Sequence, residues 1–181
     1  VRDITVKTDF TVTPNTRHKI KIGFTYTRHR LSPASFSARN PRRGKRLKIN
    51  TDSIQKLYST EMALYAGDEF DVSEKLSINY GLRFPVFIVS GKTYSFVEPR
   101  ITAKLSAGSD ASIKASYTKM NQFLHLIPNS TAGLPTDIWI PSSNKTKPQS
   151  STQYAVGYFR NFKDNAIETS VEIYYKTMDN Q

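Results

Sequence analysis

The chain has 181 residues, enough for one domain with a sizeable core, yet it is polar overall, with 38% hydrophobic residues and a mean hydropathy of -0.50. It has no cysteine, which excludes disulfides, a thiol nucleophile and a cysteine metal site, and no apolar run approaches the roughly 18 residues of a membrane helix. The formal charge is +11, from 26 basic and 15 acidic residues; that excess suits nucleic acid or anionic surfaces, but the run RNPRRGKRLK at 39–48 carries no acid and supplies most of it.

Eight segments alternate between apolar and polar side chains, the signature of strands with one greasy and one polar face. The first spans residues 3–13, with Ile4, Val6, Phe10 and Val12 opposite in parity to Asp3, Lys7 and Asp9, and Pro14-Asn15-Thr16 makes a turn. The second spans 18–28, with Ile20, Ile22, Phe24 and Tyr26 against Lys19, Lys21, Gly23 and Thr25, and a long loop is expected over 31–53. The third spans 56–70, with Tyr58, Met62, Leu64 and Ala66 against Ser59, Glu61, Tyr65 and Glu69, before a turn at 71–75. The fourth, 76–86, alternates most strictly: Leu76, Ile78, Tyr80, Leu82, Phe84 and Val86 against Ser77, Asn79, Gly81, Arg83 and Pro85. A modest loop at 88–95 carries Gly91. The fifth spans 96–107, with Val97, Ile101, Ala103 and Leu105 against Glu98, Arg100, Thr102 and Lys104, before the turn Gly108-Ser109-Asp110. The sixth spans 112–122, with Ile113, Ala115 and Tyr117 against Lys114, Ser116 and Thr118. The longest loop, 123–149, holds Pro128, Pro135, Pro141 and Pro148. The seventh spans 151–162, with Tyr154, Val156 and Tyr158 outward, and Lys163-Asp164-Asn165 turns into the eighth at 167–177, where Ile167, Val171, Ile173 and Tyr175 oppose Glu168, Ser170, Glu172 and Lys176.

The fold class is therefore all-β, an antiparallel up-and-down meander of about eight long strands. Short turns alternate with longer loops, and strands of about ten residues span a tilted apolar band of roughly 25 Å, so the meander reads as a transmembrane β-barrel or a section of a larger one. A soluble sandwich also alternates, but its strands average about five to six residues. Pro85 and Pro99 cannot donate a ladder bond; both lie toward the loop ends of their strands, where a broken rung costs less.

The order of several segments resembles a known family. EMALYAGDE at 61–69 is similar to its strand before a short periplasmic turn, and LSINYGLRFP at 76–85 to the next strand. Glu98-Pro99-Arg100 resembles its Glu-Pro-Arg strand start, and Ser116-Tyr117 through Gln122 the partner strand. Residues 134–148 and 153–162 resemble a late extracellular loop and the strand after it, and 170–181 the strand that follows. Together these resemble the carboxy-terminal part of the barrel of a TonB-dependent outer-membrane receptor.

The resemblance implies a barrel of about 22 strands around a plug, with residues 1–181 as a partial transmembrane barrel. Neither a plug nor a TonB-contacting box is recognisable, and the chain opens VRDITVKTDF with no export signal and ends without a closing aromatic strand, so a fragment is expected. The implied function is energised uptake of a scarce nutrient (an iron chelate, vitamin, peptide or oligosaccharide) across the outer membrane of a Gram-negative bacterium. Implied partners are outer-membrane lipid and lipopolysaccharide, the nutrient itself, and the TonB complex acting through the plug. Two other readings stay open: a complete eight-stranded outer-membrane barrel with a structural or adhesive role, and a soluble basic β-domain binding anionic polymers.

No enzyme, cofactor or metal chemistry is indicated. His18, His29 and His125 are scattered, without the spacing of a metal motif, and are expected to be exposed. Glu61 and Glu69, and Glu168 and Glu172, share polar faces and are expected to pair with Lys and Arg of adjacent strands rather than do acid–base work. Nucleic acid is disfavoured because the aromatics follow strand periodicity instead of forming a basic stacking platform. The basic run reads as a solvated loop, a lipopolysaccharide contact or an anion site. Trp139, at the tip of a long loop, either folds that loop or stacks on a ligand. The candidate ligand contacts are Arg42, Arg43, Lys45, Arg46 and Trp139.

Overall fold

The structure, a computed structural model, describes residues 2–31, 37–39, 46–48, 57–127, 138–162 and 166–180, and every regular element among them is a strand. Eight are long: β1 (Arg2–Asn15), β2 (His18–Leu31), β5 (Leu57–Asp71), β6 (Leu76–Val89), β8 (Glu98–Ala107), β9 (Ala111–Gln122), β12 (Gln149–Phe162) and β13 (Ile167–Asp179). Five are short: β3 (Ser37–Arg39), β4 (Arg46–Lys48), β7 (Lys92–Ser95), β10 (Leu124–Ile127) and β11 (Ile138–Pro141). The long strands pair antiparallel in the order β1-β2-β5-β6-β8-β9-β12-β13, with β7 against β6 as a ninth member, while β3–β4 and β10–β11 are separate hairpins. The meander is thus the one the alternation predicts.

Its loops are more structured than expected. The modest loop at 88–95 is instead a hairpin: β6 continues to Val89, Ser90 and Gly91 turn with φ of 45° and 78°, and β7 returns along β6. Two consecutive positive φ values give a hairpin turn whose twist matches its strands. The first turn is held by Asn15, whose Oδ1 accepts from the amides of Arg17 at 2.9 Å and His18 at 3.0 Å. The turn before β6 is held by Ser73, whose Oγ accepts from Leu76 N at 3.1 Å.

Among the described residues β1 pairs only with β2 and β13 only with β12, so the sheet is open and the complete eight-stranded barrel is overturned. The apolar face carries no second layer: Ile4, Phe10, Leu64 and Val156 stay 55–66% exposed. A soluble sandwich would bury that face, so the soluble-domain reading fails on packing. Buried apolar side chains gather instead on the polar parity near the long loops, where Phe87, Val89 and Phe123 form a cluster flanked by Tyr94, Phe96 and Leu124. Such a sheet has two sticky edges in isolation. The isolated 181-residue chain is therefore expected to aggregate in plain buffer, and a monodisperse, cooperatively unfolding monomer by light scattering and urea titration would contradict that.

Pro85 is tolerated because β6 changes neighbours there. Pairing with β8 ends at Arg83 and pairing with β7 starts at Val86. The Pro85 carbonyl accepts from Phe96 N at 3.1 Å on that side. The N and O of one strand residue point the same way, so the missing donor faces the junction and not the β5 ladder.

Glycine shapes the polar face. Gly23 stands directly opposite Tyr65, whose ring lies across it: a Cβ at Gly23 would sit 2.4 Å from the ring. Gly23→Val is expected to lift Tyr65 off the wall at a cost of about 1–3 kcal/mol. Urea titration of the detergent-refolded protein reads that loss, and Tyr65→Ala in the same chain should recover most of it.

Candidate functional site

The polar face is organised by one chain of charged contacts across six successive strands. Asp3 on β1 faces His29 on β2, with Asp3 Oδ1 3.0 Å from His29 Nδ1, close enough for an ion pair but misaligned for a hydrogen bond. His29 Nε2 lies 4.0 Å from Glu61 on β5. Arg83 on β6 then bridges two carboxylates, donating from Nη2 to Glu61 and from Nη1 to Glu98 on β8, both at 2.7 Å. The other oxygen of Glu98 accepts from the backbone amide of Asn121 on β9 at 2.7 Å and from its side-chain Nδ2 at 3.1 Å. Glu98 is 7% exposed, so its charge is held by donors on both sides. Two carboxylates share one guanidinium, leaving this part of the wall negative. Closer to the first turn, Asp9 accepts from the Tyr65 hydroxyl and lies 3.1 Å from Lys7 and 3.8 Å from Lys21.

A cleft of about 530 Å³ opens where this chain meets the long loops, lined by Glu61, Met120, Phe123, Leu124, Trp139 and Met178 among others. The β10–β11 hairpin walls one side. It is fixed by Phe123, which stacks on Phe87 at 4.8 Å with ring planes 5° apart, and by the Tyr94 hydroxyl donating to the Ser143 carbonyl at 2.7 Å. Beneath it, His125 Nε2 lies 2.9 Å from the fully buried Ser142 Oγ.

Trp139 pairs with Leu126 in the hairpin, is 42% exposed and lines the cleft, so it both belongs to the folded loop and borders open space. Arg46 opens β4 opposite Arg39. Arg42, Arg43 and Lys45 lie outside the described residues. The histidines are not the exposed side chains expected: His29 is 6% and His125 7% exposed, because the loops and neighbouring strands cover them. His18 stacks on Phe70 at 4.2 Å and pairs with Asp68 at 2.6 Å, a contact on the apolar face that sequence periodicity did not suggest. Of the carboxylates, Glu61 pairs with Arg83 and Glu69 with Lys19 at 3.5 Å as expected, whereas Glu168 and Glu172 form no ion pair among the described residues. Arg83, Glu98 and Asn121 carry the network, and parity alone placed the first two on the polar face without showing that they meet.

Burial pushes the His125 imidazole below the usual histidine range. A depressed folded value means that the undocked hairpin binds the proton more readily. The stability tied to neutral His125 is therefore complete above pH 6.5 and lost as pH falls below it. Amide protection in β10 and β11, taken relative to the intrinsic exchange rate at each pH, is expected to fall as pH drops below 6.5, and the His125→Gln protein should show no such step.

A family model described as "TonB dependent receptor-like, beta-barrel" matches residues 2–181. The chain belongs to the TonB-dependent receptor family. Its barrels stand in the Gram-negative outer membrane, with short turns on the periplasmic side and long loops outside. The polar face of this receptor segment is thus its lumen wall, and the cleft beside Trp139 lies at the outer end of that wall. Solved structures share the fold. The FrpB iron transporter of Neisseria meningitidis matches with TM-score 0.65 and 16% identity over 94% of this chain and 28% of its own. A mutant of the ferric enterobactin receptor PfeA of Pseudomonas aeruginosa matches with TM-score 0.69 and 12% identity over 99% of this chain and 27% of its own. The alcaligin outer-membrane receptor FauA of Bordetella pertussis matches with TM-score 0.58 and 16% identity over 99% and 29%. The receptor segment thus spans under a third of the length of these structures. No curated protein sequence matches it.

Proposed function

We propose that this segment is part of the wall of a receptor that takes up a scarce nutrient across the outer membrane, an iron chelate first among the candidate classes. The observation that carries the reading is the open meander with an uncovered apolar outer face and a continuous charged chain on its inner one. The names of the structures it resembles, an iron transporter and two siderophore receptors, favour iron over a vitamin, peptide or oligosaccharide. In this reading residues 1–181 form a partial barrel around a plug supplied by the rest of the receptor, and the TonB complex acts through that plug. The apolar face meets lipid. The basic run from Arg39 to Lys48 belongs to the chain between β2 and β5; in this reading it meets lipopolysaccharide, and Arg42, Arg43, Lys45, Arg46 and Trp139 contact the incoming ligand. The segment binds and guides; it catalyses no reaction.

The test deletes the gene of the whole receptor and follows labelled ferric chelates into iron-starved cells, with a strain lacking TonB beside it. Loss of uptake of one chelate in both strains supports the reading. Intact uptake of every chelate, with a vitamin or oligosaccharide lost instead, moves the receptor to that class.

A further inference from the structure

The Glu-Pro-Arg start of β8 carries two charges that fare differently. Glu98 is held by Arg83 and Asn121, both at 2.7 Å. Arg100 is exposed on the same inward face and, among the described residues, its side chain forms no hydrogen bond or ion pair. Its neighbours along the rung are Gly81 and Gly67 on one side and Thr118 and Gln153 on the other, so no acid stands beside it. β8 is paired on both edges, by β6 and β9, so a missing neighbouring strand is not the reason. The guanidinium lies over the two facing glycines, its Nη2 3.6 Å from where a Gly67 Cβ would stand and its Nε 3.3 Å from that of Gly81. A cavity of about 410 Å³ opens beside it, lined also by Lys7, Lys21, Tyr65 and Thr118. Lys7 and Lys21 flank Asp9 at 3.1 and 3.8 Å, and Arg83 is matched by Glu98. Arg100 is left in that cavity without an acid.

We propose that Arg100 is an anchor for the plug, pairing across the lumen with a carboxylate of that domain. This rests on the reading of residues 1–181 as a wall around a plug, and adds the charge that the plug presents to β8. A plug seated against this wall strips water from the guanidinium, and covering a cation without a partner is costly. The wall supplies no acid at this rung, so the plug must. A carboxylate answers best, because the planar fork of a guanidinium gives it two parallel charge-assisted hydrogen bonds. The glycine floor lets the guanidinium lie low, and the cavity beside it leaves room for an Asp or Glu side chain to reach in from the plug.

The test uses the whole receptor purified in detergent and a water-soluble carbodiimide, which joins an amine directly to a carboxylate in contact with it. Arg100→Lys puts a coupling amine at the anchor. Digestion and mass spectrometry should then find the peptide of position 100 joined to an Asp or Glu of the plug, a link absent from the parent. No link, or a link only to wall acids such as Asp9 or Glu98, overturns the proposal. A photoreactive benzoylphenylalanine in place of Thr102, the next inward position of β8, reports whether the plug lies against this wall whatever its charge. Photolinks to the plug without the carbodiimide link would remove the anchor and leave the plug reading standing; absence of both would remove the two together. Thermal unfolding adds a sign that a merely structural arginine would not give. Arg100→Gln should lower the midpoint of the parent, but lower it no further in a receptor whose linked acid is already an amide. An equal drop in both backgrounds overturns the proposal.

Discussion

Arg83→Met is expected to destabilise the receptor by roughly 3 kcal/mol, the low end for a broken buried pair because the Arg83 side chain keeps 35% exposure. The loss is not that of two hydrogen bonds alone. Glu61 and Glu98 would face each other across the vacated space, and Glu98, at 7% exposure, has little water to turn to. Replacing the guanidinium by an apolar chain of similar length keeps the packing and isolates the charge. Urea unfolding of the refolded receptor in detergent measures it. Adding Glu98→Gln to Arg83→Met should restore well over half of the stability, since a neutral amide removes the repulsion. An Arg83→Met receptor as stable as the parent would mean that the charged chain is a surface ornament of the lumen.

Phe87→Ala should cost a similar amount, about 3–5 kcal/mol for a fully buried ring, but its effect should be local. Phe87 belongs to β6, whose ladders with β5 and β8 do not depend on the ring, whereas Phe123 and the hairpin behind it rest on it. The amides of Ser142 and Ser143, which bond to Phe123 O at 2.7 Å and Thr146 O at 2.8 Å, should exchange much faster. Amides in the β5–β6 ladder should not. Uniform acceleration would show that the cluster supports the wall and not the hairpin. The ligand contact proposed for Trp139 should weaken with the hairpin's release.

The eight long strands were legible because a sheet between lipid and water forces every second side chain to change character, and residues 76–86 obey that without exception. What escaped were features on the polar parity that do not need polarity. Phe87 and Val89 continue the inward face of β6 but are apolar, so the alternation stops at Val86 and the strand seems to end there. The Ser90-Gly91 pair was the available sign of the β6–β7 hairpin. The hairpin of β10 and β11 sits among prolines, and its signal, three apolar side chains in each arm, is too short to stand out from a loop. Of the candidate site, residue types were readable but partners were not: register decides that Glu61 reaches Arg83 while Glu172 reaches no cation, and register is set by turns and long-range pairing.

The strand order carries a consequence for how such a wall is made. Along the main path each long strand pairs with the long strand before it in the chain, and the short ones sit within the intervening connections. The widest chain interval between paired long strands, from Phe123 to Pro148, is partly closed by the β10–β11 hairpin before β12 is reached. Contacts are therefore sequential, and each hairpin can form on the edge left by the last, with short loop-closure distances at every step. An assembly of this kind can form strand by strand like a zip, and among the described residues β1 and β13 are its two unpaired edges.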